Sequence, residues 1–243
     1  MMKIRFLMVL VGLLSTAYVN AQDNAFFTDS SLLKPWKKGT FDQVYLNPNI
    51  LKLMEGHTGV LVDQPEIFMA DDSKYKGAKG DQLKQLADTA RLAMMERLSA
   101  GGYRVADEPA ADVMYIRWAI SDLYLKKKKR SILSYTAMGM VVHTTRQAMI
   151  KDLFKKIDIV ELGLQVEFSD GATGEIIAAA TSKQGTRKSK GHKQDLVTWE
   201  ELDAMFSTVG ERTRCYLDNA GEKEKDRSDC DSIVIEPVVP EET

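Results

Sequence analysis

Two long runs of alternating side chains constrain this chain more than any other feature. Over residues 112–125, Met114, Ile116, Trp118 and Ile120 point one way, with Tyr124 continuing the series, while Tyr115, Arg117, Ala119 and Ser121 point the other. Over residues 157–168, Val160, Leu162, Leu164, Val166 and Phe168 alternate with Glu161, Gln165 and Glu167. A period of two is the signature of a strand with one face on a core and one face on water. The carboxylates of the second run are therefore expected on the solvent side. The turn cluster SDGATG (169–174) follows it, and residues 175–181 read as the returning strand of a hairpin.

Around this hairpin the remaining periodic segments fall into place. Residues 59–68, GVLVDQPEIF, are rich in branched and aromatic side chains and predict a strand. Pro65 removes one ladder donor and marks an edge or a bulge there. Residues 81–98 place Leu83, Leu86, Ala87, Ala90, Met94, Arg97 and Leu98 at helical spacing, and Gly101-Gly102 stops the helix. Residues 103–106 form a short strand. A last helix opens at Thr198 and Glu201, spaced as a capping box, and buries Leu202, Met205, Phe206, Val209, Thr213, Tyr216 and Leu217. The implied fold class is α/β: a two-layer sandwich with a mixed, mostly antiparallel sheet and two main helices on one face. The organisation reads as a signal peptide over 1–21, an N-terminal leader over 22–57, an α/β domain over 58–219 and a charged C-terminal tail over 220–243. Within that tail only residues 233–239 offer an edge strand.

The first 21 residues speak about compartment. Lys3 and Arg5 precede an apolar run from Phe6 to Leu14, and Val19 and Ala21 supply small side chains at the positions a signal peptidase reads. The run is far shorter than the roughly 20 residues a membrane-spanning helix needs. Cleavage near Ala21 and a periplasmic or secreted protein are the expectation. No cysteine follows the apolar run, so a lipid anchor is not expected. Losing Lys3 and Arg5 would take the formal charge from −2 to −4. With 44% hydrophobic and 28% charged residues, the chain has ordinary globular composition. Its two cysteines, Cys215 and Cys230, are a disulfide candidate in an oxidising compartment, the alternative being two free thiols.

Motifs for catalysis are absent: there is no G-x-S-x-G elbow, H-E-x-x-H helix or phosphate loop. His57, His143 and His192 are far apart in sequence, and neither a metal nor a cofactor is expected. Asp63 and Glu66 flank Pro65, and Asp170 is better suited to organising its turn than to catalysis. Two basic segments stand out instead. Lys126, Lys127, Lys128, Lys129 and Arg130 follow one long strand, and Lys183, Arg187, Lys188, Lys190 and Lys193 follow the hairpin's second strand. If residues 157–168 pair antiparallel to residues 112–125, both segments leave the sheet at the same end, where they read either as one positive rim that steers anions or as solvated loops without a ligand. Residues 132–142 are apolar and directly follow KKKKR. They read as a core element, a partner surface or a membrane-contacting segment.

Taken together, VLVDQPEIF, GGYRVADEPAADVMYIRWAISDL and VELGLQVEFSDGATGEIIAAATS resemble a bacterial family of envelope lipoproteins catalogued as a domain of unknown function. The likeness covers roughly residues 60–216, and its motifs are structural rather than catalytic. This chain departs from it in lacking the lipidated cysteine. More distantly, the strand order is similar to envelope accessory domains such as the N-terminal domain of TolB, a fold-level analogy only. The signal peptide, the absence of catalytic motifs and this resemblance together point to a non-enzymatic binding or accessory protein. Its expected partner is an envelope protein or, through the basic segments, an anionic membrane surface, and export with no nucleic-acid fold signature argues against nucleic acid. An envelope hydrolase using loop carboxylates and a self-associating structural subunit are the alternatives.

Overall fold

The structure is a computed structural model, and it describes residues 26–37, 39–75, 77–127, 157–185, 199–220 and 226–237. In chain order the elements are β1 (Lys34–Pro35), β2 (Gln43–Leu46), α1 (Ile50–Met54), β3 (Gly59–Val62), β4 (Glu66–Met69), α2 (Gly80–Ala100), β5 (Arg104–Val105), β6 (Val113–Lys127), β7 (Ile157–Asp170), β8 (Ile176–Gly185) and α3 (Trp199–Ala220). The eight strands make one open sheet in the order β1-β2-β8-β7-β6-β3-β5, with β4 also paired to β6. Pairing is antiparallel from β1 through β6, whereas β3, β4 and β5 join in parallel. The mixed, mostly antiparallel α/β fold is thus the one expected.

One face of the sheet carries the main core. Val60, Val62, Met114, Ile116, Trp118, Ile120, Leu162 and Ile177 meet Leu86, Ala90, Met94 and Leu98 of α2 and Leu202, Phe206 and Leu217 of α3. Full burial of each large aliphatic or aromatic side chain contributes about 1.5–3 kcal/mol. The two helices also touch each other closely. A Cβ on Gly210 of α3 would sit 3.1 Å from the Met94 Cα and the Arg97 Cβ of α2, so the absence of a side chain sets their approach.

Four local readings need correction. The strand expected over 59–68 is two strands, because the chain breaks at Asp63-Gln64-Pro65, where proline has no amide to donate. Tyr124 does not extend the core face of β6. Register shifts between Ser121 and Tyr124, and Asp122 takes φ 50°, as a β-bulge does. The extra residue flips the alternation, so Leu123 and Leu125 are buried instead, each 1% exposed. Gln165 and Glu167 are not on a solvated face: they are 7% and 4% exposed. Finally, residues 233–237 form no strand; the tail lies along α3, where the Ile235 amide donates to Thr208 Oγ1 at 2.9 Å.

The burial of Glu167 has a plain cause. Leader residues cross the second face of the sheet, where Phe26, Phe27 and Leu33 pack against Ala119 and Ala179, with Tyr45 partly buried beside them. Small side chains on β6 and β8 leave a shallow hollow, and the two phenyl rings fill it edge to face with centroids 5.1 Å apart. The leader then runs through β1 to β2, which pairs antiparallel with β8 from Gln43↔Thr181 to Leu46↔Ala178. Thus the 26–46 segment is both a strap over the sheet and its outermost strands.

Candidate functional site

Three places bear on function: the end of the sheet with the lysines, the buried clamp under the strap, and the opposite end at the β7–β8 turn. At the lysine end, β6 and β8 both pair antiparallel with the intervening β7 and so run parallel to each other. Lys126 and Lys127 stand opposite Asp158 and Ile157 near the start of β7, and Lys183 stands opposite Gly163 further along it. Strands two positions apart are about 10 Å from one another. The carboxyl ends of β6 and β8 therefore share one end of the sheet, as the strand pairing implied. Lys128, Lys129, Arg130, Arg187, Lys188, Lys190 and Lys193 lie outside the described residues, as do residues 132–142, His143, His192 and Thr198.

Sequence reasoning missed the clamp. Glu167 on β7 accepts the Thr28 amide at 2.9 Å on one oxygen and the Thr28 hydroxyl at 2.7 Å on the other. Arg117, directly opposite on β6, donates to Glu167 at 3.2 Å and to the Phe26 carbonyl at 3.2 Å, and its guanidinium lies 4.9 Å from the centre of the Phe26 ring. The same guanidinium reaches Glu66 at 3.4 Å. A buried carboxylate is tolerable when its charge and lone pairs are matched, which this arrangement does. The available signal was Arg117 facing Glu167 on the nominally polar faces of the two longest strands.

The loop carboxylates have structural partners. Asp63 accepts from the Tyr115 hydroxyl, and its backbone carbonyl accepts from Trp118 Nε1 at 2.9 Å. Burial, with the neighbouring Asp63 carboxylate, pushes the Tyr115 phenol up to about 12. Asp170 organises its turn as expected. Its Oδ1 accepts from Thr173 N at 2.6 Å, Thr173 Oγ1 at 2.7 Å and Ala172 N at 3.1 Å. The Thr173 hydroxyl in particular holds the Asp170 carboxyl below its ordinary range. Its other oxygen lies 3.1 Å from Nε2 of the buried His57. Among the described residues no three His, Cys, Asp or Glu side chains are grouped to hold a metal ion. No helix of the described residues is long and apolar enough to cross a membrane.

The tail is fastened by a disulfide between Cys215 of α3 and Cys230, with Cα atoms 5.6 Å apart. Both cysteines are buried, and Asn219 Nδ2 donates to the Ser228 carbonyl at 2.8 Å beside them. Neighbouring Asp231 accepts from the Tyr216 hydroxyl at 2.7 Å and from Thr40 Oγ1 at 2.9 Å. Burial opposes ionisation of Asp231, but the bonds from Tyr216 and Thr40 and the nearby Arg212 outweigh it and leave the carboxyl below its ordinary range.

This is a helix-backed sheet with a strapped second face. The sequence matches the family "Protein of unknown function (DUF3313)" over residues 22–213, and the chain belongs to that family. No curated protein is matched. Among solved structures it is similar to the PelC dodecamer from Paraburkholderia phytofirmans, at 13% identity and TM-score 0.31, covering 64% of this chain and 88% of that one. It is also similar to a DUF4136 family protein from Bacteroides thetaiotaomicron, at 13% identity and TM-score 0.33, covering 74% and 98% respectively. A third is described as a homolog of neuraminyllactose-binding hemagglutinin from Helicobacter pylori, at 12% identity and TM-score 0.30, covering 71% and 86%.

Proposed function

We propose that this is an exported, non-enzymatic accessory protein of the cell envelope that binds an anionic surface through the end of the sheet where β6 and β8 stop. One observation carries the reading: the two strands flank β7 in parallel, so the basic segments that continue from them depart from the same end. Lys126 and Lys127 end the one strand and Lys183 lies in the other. In this reading the basic residues that follow in the sequence, Lys128, Lys129 and Arg130 after β6 and Arg187, Lys188, Lys190 and Lys193 after β8, complete one positive rim. Their field attracts phosphate-bearing head groups, each lysine near an anionic bilayer contributing about 1 kcal/mol. In this reading the protein acts in the periplasm or outside the cell, after cleavage near Ala21.

Co-sedimentation with vesicles tests it. Binding to vesicles containing anionic phospholipid, absent on neutral ones and lost as salt shortens the screening length, is the expected result. Replacing Lys126–Lys129 and Arg130 by serine weakens that binding at least tenfold. Equal partition to neutral vesicles, or no binding at low salt, overturns the reading.

A further inference from the structure

The C-terminal disulfide does more than close its own loop. Cys230 begins a short 3-10 turn, Cys230–Ser232, whose middle residue is Asp231. The Asp231 carboxylate reaches past α3 into the leader. It accepts from the Thr40 amide at 3.4 Å and the Thr40 hydroxyl at 2.9 Å, as well as from the Tyr216 hydroxyl at 2.7 Å. Gly39 takes φ 72°, and a Cβ there would lie 1.9 Å from Asp231 Oδ2, so only glycine admits the carboxylate. Arg212 of α3 holds the turn from behind, donating to the carbonyls of Asp231 at 2.8 Å and Ile233 at 2.9 Å. The rings of Phe41 and Tyr216 add a contact with centroids 5.4 Å apart.

Thr40 is not an isolated loop residue. Its carbonyl accepts from Ser182 of β8 at 2.8 Å, the Asp42 amide donates to the Thr181 carbonyl at 2.8 Å, and β2 begins one residue later. A continuous set of bonds therefore runs from Cys230 through Asp231 and Thr40 to the β2–β8 pairing. The β1–β2 hairpin is itself short, β1 being two residues long and β2 four, and its other holds are the β2–β8 ladder, Tyr45 against the strap and the Asn47 amide on the Ile177 carbonyl at 2.9 Å. Short strands of this kind are marginal without tertiary support.

We propose that the Cys215–Cys230 bridge is a redox-sensitive lock on the β1–β2 edge of the sheet, and that a dithiol reductant opens it. One thiolate of the dithiol attacks a bridge sulfur to give a mixed disulfide, and its second thiol displaces the protein sulfur. Two electrons pass to the protein, which gains two thiols, and the reductant leaves as its own disulfide. The 3-10 turn then loses its covalent anchor to α3, Asp231 leaves the Gly39-Thr40 site, and β2 separates from β8. What is uncovered is the outer edge of β8 at Ala178-Ala179-Ala180-Thr181, a run of small side chains able to accept an added strand. Both cysteines are under 5% exposed, at 4% and 3%, so attack follows local opening and the lock responds slowly.

Amide hydrogen exchange read by mass spectrometry tests the proposal on three samples of the full chain. These are the oxidised protein, the same protein after dithiothreitol with both thiols confirmed by labelling, and Asp231→Ala with its disulfide intact. Residues 42–46 are expected to exchange at least tenfold faster in the second and third samples, with the centres of β6 and β7 unchanged. Faster exchange confined to residues 228–235 overturns the proposal. Exchange accelerated everywhere by reduction means that the bridge holds the whole fold rather than this edge and overturns the proposal, as does retained protection of 42–46 in the oxidised Asp231→Ala protein. Gly39→Ala, which expels the same carboxylate, gives the same pattern as Asp231→Ala if the lock is real.

Discussion

The two faces of the sheet are held by different physics. On the helix side, Phe206, Met94, Leu98, Ile116 and Ile120 are 1% exposed or less and make a broad apolar contact that no single residue defines. On the strap side, a few aromatic and small residues surround a charged pair, and Thr28 fixes the strap through both oxygens of Glu167. The first arrangement supplies most of the stability, since burial scales with apolar area. The second supplies placement, because a buried carboxylate tolerates only a partner that meets its geometry. A protein can thus carry an extended leader in one fixed position without building a second large core.

The largest expected effect comes from breaking the helix side. Phe206→Ala should cost about 3–5 kcal/mol, seen as a shifted denaturant midpoint and faster exchange throughout the sheet. Glu167→Ala should cost less, about 2–3 kcal/mol, because Arg117 is half-buried and keeps Glu66 as a second partner. Its signature is selective: the amides of Thr28 and Leu33 lose protection while β6 and β7 keep theirs. Glu167→Gln retains an acceptor for Thr28 and should fall between the alanine variant and the native protein. Should Glu167→Ala loosen β6 and β7 as much as it loosens the strap, the two faces form one cooperative unit and the distinction drawn above fails.

The same contrast explains what was legible in the sequence. Alternation along residues 112–125 and 157–168 and the helical stripe over 81–98 all report burial against one continuous apolar layer, and those elements appear where expected. A period of two assigns Gln165 and Glu167 to water, because it cannot see the strap arriving over Glu167. Thr28 and Glu167 are 139 residues apart, and neither looks unusual in its own neighbourhood. Tyr124 was misplaced for a related reason: a single bulge at Asp122 inverts the alternation without changing the composition. The strands of the leader escaped notice because two- and four-residue strands carry too few alternations to register. The cysteine pair is legible from its spacing, but the reach of Asp231 into Gly39-Thr40 is not.

The smallest effect expected is at the β7–β8 turn, and it is one of pH. Asp170 has its carboxyl depressed mainly by the Thr173 hydroxyl, which outweighs the opposing cost of burial, and further by the Thr173 and Ala172 amides and by His57. A carboxyl with a lower pKa in the folded state adds stability that is fully present above its unfolded value near 4 and is lost as pH falls through the folded value. Unfolding titrations between pH 5 and pH 2 should therefore show the native protein losing stability more steeply than Asp170→Asn. The asparagine side chain can still accept from Thr173 and Ala172, so the turn survives, but it has no proton to take up. At pH 7 the difference between the two should be about 1 kcal/mol or less, the usual net worth of such a bond. Parallel acid limbs for the two proteins would mean that the turn's stability comes from the backbone pairing of Asp170 with Glu175 and of Gly171 with Val113 rather than from the carboxylate.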